Sequence, residues 1–539
     1  MWTKRRWQLN HPASESPAAV SSPENAPLAH PLRQKIQDGL VALSLANLWF
    51  IGAWYTTMRV SPVLEYARKV PLTEAKLLAL TVNMFWFTAV VWLIMQAMRR
   101  SRSRWFRPVC EWLFLLSLLI PLDTCRQIVF GTTAVQVITF LKRPLGVLLL
   151  LLLVVGVACK RRWIVRAAAI AVGILSPLAL MTLGRMALAS LNPQHVSEPA
   201  LPPMSRVREG QPRVVWMIFD ETDQRVAFEQ RPPRVGMPEF DRFLRESLSA
   251  TNAYPPGNNT IESIPGLTTG LRVSEAFPTN SSQLILKLTD SGRTVSWSEL
   301  PSVFDSARDL GFNTALVGWY HPYPRVLGRS LNYCSWYPIM FIQPVPALTF
   351  GGAMRDELEC VAWYLHLRHL YVNICRATLA DSLSLVTNAS YGLIFLHLPP
   401  PHRPWVFDPA TGRFTLLDMS KAAGYFNNLA LADRTFGKLR AAMEASNQWN
   451  RSWIIVSADH SWRASAEYDG RRDFRVPFLV KAPGPNQPVV YSPAINTLLT
   501  HDLILAILRS ELTNQQQVVP WLDSHPTVRA PPPPTLNDD

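Results

Sequence analysis

Five apolar stretches crowd the first 190 residues, at roughly 39–58, 77–98, 108–124, 144–159 and 164–188. A helix that crosses a bilayer needs ~20 mostly apolar residues. Residues 37–190 therefore read as a transmembrane bundle of about five helices. The fourth stretch is the barest, with no charge from Leu145 to Ala158, while Glu111 and Asp123 sit near the ends of the third. Residues 1–36 form a polar tail. No apolar core follows Lys4-Arg5-Arg6 at signal-peptide distance, so a cleaved leader is not expected.

The net charge of +14 is unevenly spread. Residues 1–190 hold 22 Lys+Arg against 7 Asp+Glu, and the rest of the chain holds 31 against 32. That balance excludes a basic nucleic-acid-binding surface on the second half and places the excess in loops between apolar segments. The tail (Lys4, Arg5, Arg6, Arg33, Lys35), the second loop (Arg99, Arg100, Arg102, Arg104, Arg107) and the fourth (Lys160, Arg161, Arg162, Arg166) carry 14. The alternate loops (Arg59, Arg68, Lys69, Lys76, Arg126, Lys142, Arg143) carry 7. The positive-inside rule puts the richer set in the cytoplasm, and five crossings then leave everything after residue 190 outside. Segment 126–142 is moderately apolar and is expected along the outer interface; a sixth crossing there would reverse the orientation. The bundle reads either as an anchor or as a partner in binding a lipid substrate.

Residues 191–212 form a Pro-rich linker. Short apolar runs follow at Val214–Phe219, Thr314–Trp319, Tyr391–Leu398, Trp453–Ala458 and Val476–Lys481, with helical patterns at about 237–249, 301–310, 357–371, 420–446 and 498–511. Strands alternating with helices predict an α/β domain over 213–511 with a largely parallel central sheet. Residues 512–539, ending in Pro531–Pro534 and Asn537-Asp538-Asp539, are expected to be a disordered tail. Cys334, Cys360 and Cys375 lie in the soluble half, with no zinc-ribbon spacing; an oxidising compartment would permit one disulfide among them.

Ligands in such sheets sit at the carboxyl ends of strands. The first run ends in Asp220-Glu221-Thr222, the third contains His397 and leads to His402, and the fourth ends in Asp459-His460. Each alone reads as readily as a helix cap or a loop. Together they bring acids and imidazoles to one sheet edge, a donor set suited to zinc or manganese. Trp319-Tyr320-His321 follows another strand, so this cluster, His321 included, is a pocket-lining candidate, although an aromatic cluster is more often core. Arg463 and Arg471-Arg472 are weaker candidates for meeting an anionic substrate.

The segment Asn259-Thr260-Ile261-Glu262-Ser263-Ile264-Pro265-Gly266-Leu267-Thr268-Thr269-Gly270 resembles the nucleophile segment of the alkaline phosphatase/sulfatase superfamily. Its Thr-x-x-Ser-x-Pro pattern is similar to that of bacterial phosphoethanolamine transferases. Like lipoteichoic acid synthases, those enzymes join five transmembrane helices to an extracytoplasmic sulfatase-like domain. The other pieces follow in order. Ile218–Thr222 resembles the first metal strand, mapping the transferases' glutamate onto Glu221, with Asp220 a second candidate. Ser457–His460 resembles the late metal pair, and His397 to Pro404 the stretch that contacts substrate or a second zinc. Arg475–Gly484 and Thr500–Leu503 resemble the strand and helix beyond. The resemblance spans roughly 213–511. Sulfatases carry a Cys or Ser that becomes formylglycine in a Cys/Ser-x-Pro-x-Arg context. Thr260 cannot be so converted, and Glu262 and Ile264 stand where Pro and Arg belong, which weighs against sulfate ester hydrolysis.

The resemblance implies a bacterial inner-membrane protein with a periplasmic catalytic domain. A divalent ion, zinc first and manganese second, would be held by Glu221 or Asp220 with Asp459 and His460. Thr260 would be the catalytic nucleophile, and His397 and His402 would contact substrate; His321 joins them as a substrate-binding candidate on its place after a strand alone. The implied reaction moves a phosphoethanolamine or phosphoglycerol group from a membrane phospholipid donor to an envelope glycan or glycolipid acceptor through a covalent threonine intermediate. Two other readings stand: a membrane-bound phosphodiesterase or hydrolase with water as acceptor, and a non-catalytic factor for envelope-polysaccharide assembly. Asn258-Asn259-Thr260 also fits a glycosylation sequon, and Thr260 also fits a helix N-cap.

Overall fold

The computed structural model describes residues 29–58, 61–69, 73–130, 140–141, 143–191, 198–207, 210–339, 349–417 and 422–525. Among these, three stretches are long and apolar enough to cross a membrane: Glu74–Arg100, Phe106–Ile128 and Pro144–Leu191. The first expected segment lies over two helices instead, Ala29–Trp49 and Ile51–Met58. The fourth and fifth are one run of 48 residues, a length of ~72 Å at 1.5 Å per residue. The loop expected around Lys160 is a kink (φ −109°, ψ 17°) within the helix Pro144–Ile174. Lys160-Arg161-Arg162-Trp163 contains no turn-forming residue, and Arg161 Nε donates to Glu111 Oε2 at 2.8 Å. Of the segment expected at the interface, Arg126–Phe130 ends the helix Leu119–Phe130, and 131–139 lies outside the described residues.

Local sequence explains the best-formed of these helices. Thr73 caps Glu74–Arg100 by accepting from Lys76 N at 3.2 Å. Glu74 in the first turn and Arg99 and Arg100 in the last complement the helix dipole. Arg99 also grips buried Asp38 through two bonds, of 2.7 and 2.6 Å, fastening the first helix to this one.

The second half is built on an eight-stranded sheet. In chain order its strands are β1 (Val214–Phe219), β2 (Leu248–Ala250), β3 (Thr314–Trp319), β4 (Tyr333–Tyr337), β5 (Leu393–Leu398), β6 (Trp453–Ser457), β7 (Phe478–Lys481) and β8 (Val489–Tyr491). Their spatial order is β8-β2-β7-β6-β1-β5-β3-β4, and only β7 is antiparallel to its neighbours. The largely parallel sheet expected from the alternating pattern is present. β1 is buried along its whole length. Val214, Trp216 and Ile218 face one core with Ile264, Phe395 and Leu503; Val215, Met217 and Phe219 face the other with Phe240, Leu396 and Phe436. Burial on both faces is why these strands read as continuous apolar runs rather than alternating ones.

Three expectations are corrected. The helix expected over 237–249 spans only Pro238–Leu244, and Leu248–Ala250 is β2, a three-residue strand too short to show a pattern. A separate sheet, Val273–Asn280, Gln283–Leu288 and Thr294–Ser296, was not expected at all. The tail is folded as far as 525. Helix Val518–Ser524 buries Val518 and Leu522 in the core, and Tyr491 donates to Asp523 at 2.9 Å. Residues 526–539 lie outside the described residues. All six cysteines are free thiols.

The two halves touch. Helix Phe350–Glu359 packs on Glu74–Arg100, where Asn83 Nδ2 donates to Met354 O at 2.9 Å and Lys76 pairs with Glu357 at 3.4 Å. A Cβ on Gly52 would stand 2.5 Å from the Trp363 ring, so only glycine admits that indole against the helix Ile51–Met58.

Candidate active site

Register brings the site together. Ile218 on β1 pairs with His397 on β5 and with Ser457 on β6. The residues just beyond, Asp220 on one strand and Asp459 and His460 on the other, must converge at the same carboxyl edge. Ligand atoms of Asp220, Asp459 and His460 lie within 4.8 Å of one another, and all three residues are buried.

Thr260 stands over this cluster. Its Oγ1 is 3.4 Å from Asp220 Oδ2 and 3.4 Å from His460 Nε2. The residue opens the helix Thr260–Thr269, whose N-cap is Asn259. Glu262 N and Ser263 N bond to Asn259 O, so Thr260 is the first helical residue and not the cap. Its hydroxyl is thus free of capping duty and faces the acids. The helix ends at Gly270 (φ 69°), where a Cβ would also meet the His501 ring at 3.0 Å.

The remaining candidates sit around this centre. His397 Nε2 is 3.5 Å from Asp220 Oδ2, and Tyr323 OH is 2.7 Å from its Nδ1. Glu221 has φ 65°, uncommon for a residue with a Cβ, and its side chain lies on the Arg463 and His402 side of the cluster. Its Oε1 accepts from Arg463 N at 3.3 Å, and its Oε2 is 4.0 Å from His402 Nε2. Of the two acids after β1, Asp220 is the one in the cluster. His402 stands at the mouth, 12% of its side chain exposed, with its loop held by Tyr371 OH and Asn428 Nδ2 on the His402 carbonyl. His321 lies behind the nucleophile, its Nε2 3.3 Å from the Thr260 carbonyl. Arg463 also donates to Asn259 Oδ1 at 3.0 Å, whereas Arg471 faces the distant Arg225–Asp469 pair.

Further supports are aromatic and amide groups, of which Trp319 alone lies in a segment that the sequence singled out. Trp319 Nε1 donates to Asp220 Oδ2 at 3.0 Å, and Tyr323, Tyr371 and Asn428 hold the histidines. Tyr323 follows β3 closely, whereas Tyr371 and Asn428 lie on the helices Trp363–Thr387 and Ala422–Ala445, where nothing local marks them out.

Charge follows geometry. Burial pushes the Asp459 carboxyl up, but the imidazoles of His460 and His397 outweigh it and hold it below the usual carboxylate range. Burial works against the His460 imidazolium, and Asp459 and Asp220 more than reverse this. Glu221 is likewise desolvated yet lowered, by His402, His460 and Arg463. At His321 burial outweighs the bond to the Thr260 carbonyl and the charge of Asp459, and pushes it down to about 3.

The residues fit a divalent metal. Asp220 Oδ1, Asp459 Oδ2, Glu221 Oε2 and His397 Nε2 are buried polar atoms without a hydrogen-bond partner, gathered at one edge. Such atoms are costly unless something satisfies them. Buried carboxylates and imidazole without thiolate form a donor set for zinc or manganese.

Residues 212–509 match the family model described as Sulfatase, more than half of the chain. No curated protein matches significantly. Similar solved structures include Ps i-CgsB in complex with k-i-k-neocarrahexaose (15% identity, 59% of this chain and 77% of that one, TM-score 0.43). Murine ectonucleotide pyrophosphatase / phosphodiesterase 5 with AMP has 12% identity, covers 56% and 95%, and has a TM-score of 0.35. The phosphonate monoester hydrolase SpPMH from Silicibacter pomeroyi has 14% identity, covers 56% and 73%, and has a TM-score of 0.35. At these scores none of their substrates transfers to this chain.

Proposed function

This chain belongs to the sulfatase family, and from that premise we propose that it transfers a phosphoryl-type group, phosphoethanolamine or phosphoglycerol, from a membrane phospholipid to an envelope glycan or glycolipid through Thr260. The observation that carries the reading is the position of the Thr260 hydroxyl, 3.4 Å from both Asp220 and His460 and not used as a cap. A threonine in this place favours phosphoryl over sulfuryl transfer, because it cannot become formylglycine.

Asp220, Asp459 and His460 would hold the divalent ion, zinc or manganese. Bound there, such an ion lowers the pKa of an adjacent hydroxyl and stabilises charge on phosphoryl oxygens. The residues do the rest. Thr260 donates its proton towards Asp220 Oδ2 and presents its lone pairs to phosphorus. The Thr260 oxygen forms the new bond to phosphorus as the bond to the diacylglycerol oxygen breaks. His402 at the mouth gives the leaving alcohol its proton. In the second half-reaction His402 takes the acceptor's proton, the acceptor oxygen bonds to phosphorus, the bond to Thr260 breaks, and Asp220 returns the proton to the Thr260 oxygen. Tryptophan and tyrosine side chains around Asp220 and His397 keep water from the buried side.

The lipid donor is supported by the apolar helices and by the short path between them and the site. Helix Pro62–Ala67, in the loop before the candidate span Glu74–Arg100, touches the wall behind Thr260. We place the domain in the periplasm of a bacterial inner-membrane protein, on the side of the charge-poor loop 61–69 whose Tyr66 meets its His321.

The test is to incubate purified full-length protein with headgroup-labelled phosphatidylethanolamine or phosphatidylglycerol and to digest it for mass spectrometry. A labelled adduct on the Thr260 peptide, passed on when a glycan acceptor is added, is the expected result. Release of headgroup phosphate to water alone would identify a hydrolase, and absence of turnover with metal bound would leave an assembly role. Envelope glycolipids and glycans of a deletion strain would name the acceptor.

A further inference from the structure

The loop between the first two apolar segments enters the catalytic domain. Ser61 caps the short helix Pro62–Ala67, accepting from Leu64 N at 3.3 Å. Tyr66 on that helix is 3% exposed. Its hydroxyl lies 3.0 Å from His321 Nδ1, and His321 Nε2 lies 3.3 Å from the Thr260 carbonyl. His321 is fully buried, with Trp297 and Tyr323 rings edge-on to it at 5.1 and 5.7 Å.

The proton positions follow from the partners. A carbonyl oxygen can only accept, so Nε2 carries the hydrogen. A neutral imidazole has one N–H, so Nδ1 accepts and the Tyr66 hydroxyl donates. The loop is fixed in place for this contact. Arg325, itself buried, donates to the carbonyls of Tyr66 at 3.2 Å, Arg68 at 2.6 Å and Ser281 at 3.1 Å. Lys69 adds a bond to Trp336 O and lies over the Tyr337 ring.

We propose that Tyr66 is a positioning residue: by donating to Nδ1 it anchors the His321 ring whose Nε2–H holds the Thr260 backbone, so that a loop of the membrane-helix half sets the nucleophile. The inference rests on the reading of Thr260 as that nucleophile. Packing alone does not account for the contact. A phenylalanine would fill the same volume, and a buried hydroxyl is unfavourable unless it is bonded. Removing it leaves Nδ1 buried without a donor and the ring without its anchor on that side, so that the Nε2–H bond to the Thr260 carbonyl is held less firmly. The catalytic unit on this view is residues 61–69 together with the domain that starts near 212.

The test uses full-length protein in nanodiscs with a labelled phospholipid donor. Tyr66→Phe should lower kcat roughly 3- to 30-fold, within the range of coupled buried pairs, with KM and bound metal unchanged. In a His321→Gln background, where there is no Nδ1 to orient, Tyr66→Phe should change kcat less than about twofold. Wild-type kcat in Tyr66→Phe, a loss confined to KM, or equal losses in both backgrounds would each overturn the proposal. If His321→Gln does not fold, the division of the Tyr66→Phe effect between kcat and KM decides alone. Thr260→Ala runs beside these variants. Turnover surviving in it would refute the nucleophile reading by a separate measurement, whatever Tyr66→Phe does.

Discussion

The indole Nε1 of Trp319 donates to Asp220 Oδ2 across 3.0 Å, so the central acid of the cluster is held by a group two strands away in the sheet. That bond fixes one carboxylate oxygen and leaves Oδ1 directed at Asp459 and His460. Trp319→Phe keeps the ring and removes the donor. Loss of such outer support costs roughly 10- to 100-fold in metal affinity. Competition with a graded chelator should show a loss of that size, and unchanged affinity would mean that the indole only packs.

Asp220 and Glu221 should part company in metal analysis. Asp220→Asn, Asp459→Asn or His460→Ala should each empty the site while the protein still expresses, because each takes a donor from the buried cluster. Glu221→Gln should keep most of its metal and lose turnover, since that side chain faces His402 and Arg463. Elemental analysis of the four purified variants checks this. Metal loss in Glu221→Gln with retention in Asp220→Asn would reverse the assignment.

How far the sequence went depends on the range of the signal. The parallel strands were legible because burial on both faces makes them continuous apolar runs, and their ends displayed Asp220, Asp459 and His460. β2 and β8, three residues each, carry no period, and the sheet at 273–296 alternates only partly and includes Pro278. The choice between Asp220 and Glu221 depends on a positive φ at 221 that no local pattern announces. Tyr66 was invisible for another reason: it meets His321 across 255 residues. The kink at Lys160 was read as a loop because charge there outweighed the absence of a turn residue.

Orientation has a test that does not depend on the number of crossings. Tyr66 can meet His321 only if the loop 61–69 and the catalytic domain share one side of the membrane, and that loop belongs to the charge-poor set. A periplasm-only reporter fused after residue 525 should therefore be active, and a cytoplasm-only reporter there should be silent. The reverse pattern would put both the loop and the domain inside.

Stability should depend on pH through Asp433. Burial raises its carboxyl to about 7, despite bonds from Glu239 N at 3.0 Å and Phe240 N at 2.8 Å. A folded pKa above the unfolded one means that the contribution is fully present below about 4 and is lost as pH rises through about 7. An asparagine carbonyl at this position could accept the same two bonds without charge. Asp433→Asn should therefore be the more stable protein at pH 8, by on the order of a few kcal/mol at most. The advantage should shrink towards pH 4. Thermal melts of both proteins across that range check the sign, and a gap that does not widen with pH would rule out titration of Asp433 as its cause.

Thr260 separates chemistry from structure most cleanly. A lost N-cap costs ~1 kcal/mol, but here the cap is Asn259 and Thr260 only begins the helix. Thr260→Ala should therefore melt close to wild type, keep its metal and lose transfer. Thr260→Ser retains a hydroxyl beside Asp220 and His460 and should keep part of the rate, reduced because the missing methyl frees a rotamer. Thr260→Cys should not gain sulfatase activity, since Glu262 and Ile264 occupy the positions that formylglycine conversion reads as Pro and Arg. Single-turnover assays on folded, metal-loaded variants provide the comparison. Near wild-type transfer by Thr260→Ala would remove the covalent intermediate, and Asp220, Asp459 and His460 would then have to act on a nucleophile supplied from solution.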